Sequence, residues 1–306
     1  MFDYKKIFAS QKLRFRILKM LSFVPDRIML SWQYRIKLGA KPDFRSPQRF
    51  TEKLLLYKMH YRNPVLHQCV DKYEVRKYVE SRGLNDILVP LYGVWNDCRD
   101  IDFDSLPERF VIKTTDGGGG ENIVLCHDKS SLDREALCSR LLGWKNKKSV
   151  DPGREWAYTG ISESRYVVEE MLVDEECPEA GIKDYKFLCF GGKPKVVVYD
   201  TDRYVGHKRN FYDLEWNDLH VSSDCPPCDR VIDRPDGLDE MARVAEKLAA
   251  GFPFVRVDLY YVSGRVWFGE LTFYPWSGYV RFDPDSFDYQ LGSWFDVSSF
   301  YKVKSR

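Results

Sequence analysis

The sequence lacks any long apolar run. No stretch reaches the roughly 18 to 20 uninterrupted hydrophobic residues of a membrane-spanning helix. The opening residues MFDYKKIFASQKLRFRILKM also lack the apolar block and small-residue cleavage site of a secretory signal, so the expectation is a cytoplasmic protein. A dominant charge is missing as well: 47 Lys and Arg stand against 46 Asp and Glu, a net +1, and no recognised nucleic-acid-binding motif accompanies the basic residues, so nucleic acid is not the expected partner. Cysteine is sparse, eight in 306 residues, with no framework spacing, and free thiols rather than disulfides are expected. Cys225-Pro-Pro-Cys228 has no second ligand pair at zinc spacing and opens no helix after a strand, so it carries neither a metal nor a redox expectation. What is present is core-forming material: 44% hydrophobic and 15% aromatic residues, enough for one large or two small domains.

The charge that cancels overall is unevenly placed. Residues 1–53 hold 13 Lys or Arg against 4 Asp or Glu, a local +9 that leaves −8 for the remainder. Between Leu13 and Trp32, Phe15, Ile17, Leu18, Leu21 and Ile28 alternate with Arg14, Arg16, Lys19 and Arg27, interrupted at Pro25. Two readings follow: a helix packed on the body with a solvated basic face, or a basic amphipathic segment that holds the protein peripherally at an anionic membrane.

Farther along, residues 51–82 read as two helices broken at Asn63-Pro64, with Gly83 as a stop. ILVPLYGVW and ERFVIK are short apolar runs, the second of strand character. ERFVIK leads into Lys113-Thr-Thr-Asp116, then Gly117, Gly118, Gly119 and Gly120, then the strand-like NIVLC. Such a strand, glycine loop and strand make a hairpin whose bare backbone can approach phosphate oxygens while Lys113 supplies a cation. It is neither a P-loop, since no Gly-Lys-Ser/Thr follows, nor a dinucleotide fingerprint, since no helix follows. Residues 131–149 and 237–250 read as helices; YVVEEML, RNFYDL and a hairpin turning at Gly191-Gly192 read as strands. A second hairpin turns at Ser263-Gly264, bringing Asp258 and Glu270 toward each other, with Arg256 on the face of Asp258. Two carboxylates inside strongly apolar strands are costly unless partnered, and such a pair suits Mg²⁺, whose other positions go to water or phosphate. A separate Asp200-Thr-Asp202 after VVVY could present a metal to a nucleotide sugar, and Arg203, His207, Lys208 and Arg209 beside it could take an anionic group.

In this order the pieces resemble the ATP-grasp superfamily, following the nucleotide-site pattern of the D-alanine–D-alanine ligases. Asp71-Lys72 resembles the first ATP lysine and Lys113 the second; Asp116 and the glycines resemble the phosphate loop. Glu169, with Glu170 as the adjacent alternative, resembles the acid at the ribose and adenine hinge, with Asp184 and Lys186 following. Arg256, Asp258 and Glu270 resemble the Arg, Asp and Glu that hold phosphates and magnesium, but Thr272 stands where the family usually has Asn, and Pro275-Trp-Ser-Gly278 departs from the usual Pro-Gly. PQRFTEKLLLYK, DKYEVRKYV, HKRNFYDLEW, GFPFVRVDLY and FGELTFYPWSG extend the resemblance over about residues 33–296 to the TupA-like ATP-grasp proteins of bacterial surface-polysaccharide gene clusters.

The resemblance implies an α+β ATP-grasp fold clamping MgATP between two subdomains. Its expected layout is a basic helical segment at 1–60 and the ATP-grasp domain at 61–306, with a glycine-loop subdomain at about 108–168 and a metal-binding subdomain at about 169–300. It also implies a carboxylate–amine ligase that joins an amino compound to a saccharide carboxylate such as a uronic acid, through an acylphosphate and without a side-chain nucleophile. The basic arm stands where most such ligases have an N-terminal α/β domain. Three alternatives are weighed beside it: a metal-dependent glycosyltransferase using Asp200 and Asp202, a sugar kinase sharing the ATP site, and a non-catalytic membrane-surface scaffold. The sequence does not specify an oligomeric state.

Overall fold

The computed structural model describes residues 16–18, 20–117, 122–145, 153–174 and 178–302. Gly118, Gly119 and Gly120, the whole chain before Arg16, Lys19, and the end of the 131–149 helix expectation lie outside the described residues.

Helix α1 (Asp26–Leu38) begins directly after Pro25, whose fixed φ suits a helix entry, and stops at Gly39, which takes a left-handed φ of 76°. It packs on the body through Met29, Leu30, Gln33 and Tyr34. Helix α2 (Phe50–His60) is buried almost all round, with Phe50, Leu54, Leu55, Leu56 and Tyr57 fully enclosed. Its first turn is fastened by the buried Glu52 carboxylate, which accepts hydrogen bonds from the backbone N–H groups of Asp43, Gln48 and Arg49. The stretch after Asn63-Pro64 forms two short helices, α3 (Val65–Val70) and α4 (Val75–Ser81), where the sequence pattern suggested one. The break falls at Asp71, whose Oδ1 accepts from the N–H groups of Tyr73 and Glu74 at 2.8 Å and turns the chain before α4 can start.

Two antiparallel sheets follow. The first has the order β1-β4-β2-β3, from β1 (Leu91–Trp95), β2 (Phe110–Thr114), β3 (Ile123–Cys126) and β4 (Tyr166–Glu170). β1 joins this sheet from before residue 108. Alternation divides β2: Phe110 and Ile112 enter a small core with Leu137 and Leu141 of α5 (Arg134–Lys145), while Val111 and Lys113 face away from it. The second sheet has the order β7-β6-β5-β8-β9, from β5 (Asp184–Phe190), β6 (Lys193–Thr201), β7 (Lys208–Tyr212), β8 (Phe254–Val262) and β9 (Arg265–Thr272). Its back is closed by α6 (Leu238–Ala249), whose Leu238, Met241, Val244, Ala245 and Leu248 form one buried stripe. Helix α7 (Ser286–Trp294) packs against α2 and completes the main core.

The expectation of free thiols is corrected at one pair: Cys98 and Cys138 form a disulfide, with Cα atoms 5.7 Å apart. Packing of α5 on the first sheet's core brings together two cysteines 40 residues apart, a proximity that no local spacing encodes. Cys225 and Cys228 are both free.

Candidate active site

The front of the second sheet carries a charged row that follows from strand register. Asp184 on β5 pairs with Asp200 on β6 and Tyr260 on β8; Lys186 pairs with Asp258; Asp258 pairs with Glu270 on β9. The last pairing depends on a bulge. A regular ladder that turns at Ser263-Gly264 and pairs Val262 with Arg265 would set Asp258 opposite Gly269. The extra residue between Asp258 and Leu259 in the register moves Glu270 to that place instead. Only glycine fits at 269, since a Cβ there would stand 2.9 Å from the carbonyl oxygen of Asp258.

The charges in this row are closely matched. Arg256 donates to Asp258 at 2.6 and 2.7 Å, to Glu270 at 3.1 Å and to the Thr272 hydroxyl at 3.1 Å. Thr272 in turn donates to Glu270 at 3.0 Å. Lys186 reaches Asp184 at 3.0 Å and Asp258 at 3.1 Å. Burial disfavours charge throughout, but charge neighbours decide the outcome group by group. Burial would raise Glu270, yet the Arg256 and Lys72 cations bring it down to about 2. For Lys186, burial is outweighed by Asp184 and Asp258, so its pKa rises. At Asp258 burial wins over Arg256 and Lys186 and the carboxyl moves up.

The first sheet and the α3–α4 turn supply the opposite wall. Lys72 lies in that turn, its N–H bonded to the Thr115 carbonyl at 2.9 Å and its ammonium to the Gly117 carbonyl, so it is tied to the start of the glycine loop. Burial lowers its pKa, with Glu270 acting in the other sense. Lys113 donates to Glu169 at 2.7 Å, and Arg76 stands 3.6 Å from the same carboxylate. Asp116 accepts from Ser164 at 2.7 Å. Between the sheets lies a cavity of about 470 Å³, walled by Val89, Val111, Leu172, Ile182 and Tyr260, with Lys113, Glu170, Asp184 and Arg203 among its charged lining. Glu170 thus lines the cavity while the neighbouring Glu169 lies under Lys113.

The anion-binding candidates separate. Arg203 lines the cavity and binds Asp184. Arg209 is committed to Asp200 at 2.6 and 2.9 Å and to Asp224 at 2.6 Å, and His207 Nε2 lies 3.4 Å from Asp200. Lys208 is half-buried at the start of β7. Asp202 is held by Arg230 at 3.1 Å, so the two carboxylates of Asp200-Thr-Asp202 are taken by different arginines.

Two contributors escaped the sequence reading. Tyr260 follows from alternation, two residues beyond Asp258 on the same strand. Lys58 is fully buried in α2 and donates to the carbonyls of Gly153 and Ser277 at 3.0 and 2.8 Å while pairing with Glu155 at 3.0 Å. It anchors the turn after β9, where Trp276 and Ser277 hold left-handed φ values of 51° and 54°. A lysine in the run LLLYKMH was its only local trace.

A family model described as TupA-like ATPgrasp matches residues 52–296. The chain belongs to the TupA-like ATPgrasp family. No curated protein matches the chain. Solved structures similar to it include the D-alanine–D-alanine ligase of Bacillus anthracis (18% identity over 67% of this chain and 57% of that one, TM-score 0.40). The D-alanine–D-alanine ligase of Helicobacter pylori is 13% identical over 74% of this chain and 61% of that one, with a TM-score of 0.41. The N5-carboxyaminoimidazole synthetase of Staphylococcus aureus, solved with ADP, is 14% identical over 67% and 44%, with a TM-score of 0.38. This TupA-like chain therefore spans less than two thirds of the length of each of these solved structures.

Proposed function

We propose that this TupA-like protein is an ATP-dependent carboxylate–amine ligase that joins an amino compound to a saccharide carboxylate of uronic-acid type in bacterial surface-polysaccharide synthesis. The observation that carries the chemistry is the meeting of Asp258 and Glu270 at one rung of a sheet, flanked by Arg256 and Lys186, opposite Lys72 and Lys113. The residues fit MgATP in a particular way. An apolar cleft with a few charged groups suits a nucleoside. Among the described residues no cluster of three metal-ligating side chains exists, so the carboxylate pair suits Mg²⁺ only where phosphate oxygens and water complete its shell. When bound there, Mg²⁺ would neutralise phosphate charge as it builds toward the transition state.

In the proposed reaction a carboxylate oxygen of the saccharide attacks the γ-phosphorus, the bond to the β–γ bridging oxygen breaks, and ADP leaves an acylphosphate. The amine then attacks the acyl carbon, inorganic phosphate departs, and the nitrogen gives up a proton. Arg256, Lys72 and Lys113 act by position and charge. One well-placed cation contributes on the order of a thousandfold in phosphoryl transfer. The Lys72 ammonium is held in place by the Gly117 carbonyl. The experiment is to incubate protein, MgATP and a panel of uronic acids with hydroxylamine. A hydroxamate formed together with ADP supports the acylphosphate. A stable sugar phosphate would make the protein a kinase instead.

A further inference from the structure

Five of the twelve large hydrophobic residues exposed among the described residues fall between Met20 and Ile36. On α1, Met29, Leu30, Gln33 and Tyr34 face the body. The outward face repeats Ile28, Trp32 and Ile36 at successive i, i+4 positions, 44%, 52% and 50% exposed. The segment before the helix adds Met20 and Phe23 at 76% and 80%. This inverts the usual surface helix, whose outward face is polar. The patch is rigidly mounted: Arg154 donates to the carbonyls of Leu21 and Val24 at 3.0 and 2.6 Å, and Gln33 accepts from Tyr279 at 2.6 Å. The exposed arginines Arg27 and Arg35 stand in or beside the apolar stripe, within a segment that carries +9 against −8 for the rest of the chain.

We infer that this face docks the protein on an anionic lipid bilayer, with Met20, Phe23, Ile28, Trp32 and Ile36 entering the boundary between headgroups and acyl chains and the arginines on lipid phosphates. Charge selects this occupant. A second copy would bring a +9 segment against its twin, and nucleic acid offers no apolar layer for five hydrophobic side chains, whereas an anionic membrane interface satisfies both features at once. The tryptophan lies where an aromatic ring is most favourable, at the interface itself. The protein lies on the bilayer without crossing it, consistent with the absence, among the described residues, of any helix long and apolar enough to span. Gln33 and Lys37 of α1 both contact Tyr279, just past the Trp276–Ser277 turn, so the docking face is latched to the segment that follows the metal-binding strand. A lipid-linked acceptor is the substrate form this arrangement serves, a consequence that rests on the proposed ligase function; the docking itself does not.

The test is co-sedimentation of the full chain, without nucleotide, with phosphatidylcholine vesicles and with vesicles that also contain phosphatidylglycerol. The wild type is expected to bind the anionic vesicles only, and added salt to weaken it. The variant Ile28→Ser/Trp32→Ser/Ile36→Ser should lose roughly tenfold or more in binding, and Arg35→Glu on the order of tenfold. Both should keep the wild-type melting temperature, because these side chains are exposed. Equal binding by the wild type and both variants, or no preference for anionic vesicles, overturns the inference. So does a concentration-dependent dimer that the triple substitution abolishes, which would make this face a contact between copies.

Discussion

Lys186 offers the sharpest test of how the sheet tolerates so much buried charge. Its ammonium lies 3.0 Å from Asp184, 3.1 Å from Asp258 and 3.9 Å from Asp200, and its side chain and all three carboxylates are at most 7% exposed. Replacing it by methionine keeps the apolar stem and removes the charge. Each carboxylate retains one arginine, Arg203, Arg209 or Arg256, so the row is weakened but not stripped. Removing one partner of a buried ion pair costs about 3–5 kcal/mol, which for a protein of this size lowers the melting temperature by on the order of 10 °C.

The pH dependence gives the loss a signature. The Asp258 carboxyl already lies above its usual range because of burial, with Lys186 opposing the shift. Its folded-state pKa exceeds the unfolded one, so its ionisation opposes folding as pH rises above the unfolded value, and Lys186→Met raises the folded pKa further. The deficit of the variant should therefore be largest at neutral to alkaline pH and shrink as the pH falls and the carboxyl takes up a proton. Thermal unfolding across that range reads it. Adding Asp258→Asn to Lys186→Met should recover at least half of the lost stability at the higher pH. A Lys186→Met protein as stable as the wild type, or a deficit that does not change with pH, would refute the electrostatic account.

Other consequences follow from the same contacts. Lys113→Ala leaves the buried Glu169 with Arg76 alone and should cost about 1–3 kcal/mol. Lys113→Ala/Glu169→Gln should regain that stability without regaining nucleotide binding, as chemical denaturation beside calorimetry would show. Asp202→Asn disturbs only the Arg230 pair and should change ATP binding less than about twofold; a large loss would return weight to a metal at Asp200 and Asp202. Reduction of the Cys98–Cys138 bond should expose two more thiols to titration and, in the chain-entropy account, lower stability by about 2–4 kcal/mol. An unchanged thiol count would remove that bridge.

Much of this was legible from short-range rules. The hairpins at Gly191-Gly192 and Ser263-Gly264 stand where turn chemistry put them, and the α6 stripe follows its 3.6-residue period. Asp258 and Glu270 were expected near each other because both flank one turn. Their direct pairing was not legible, because it depends on a bulge whose only trace is Gly269. Other features are long-range by nature. Cys98 meets Cys138 through packing of α5. Arg209 meets Asp200 and Asp224, which turns a candidate anion site into an internal ion network. Nothing local marks Lys58 in the run LLLYKMH; its role comes from the loops of Gly153 and Ser277, which close over it. In α1 the apolar pattern was visible, but pattern alone does not say which face turns inward.

The most direct test of the central claim is calorimetric titration of MgATP into the wild type, Lys72→Ala and Glu270→Gln, with a uridine-diphosphate sugar as competitor. Binding by the wild type in roughly the micromolar to millimolar range, lost in both variants and unaffected by the nucleotide sugar, is the expected result. A wild type that ignores MgATP and binds the nucleotide sugar would contradict the account.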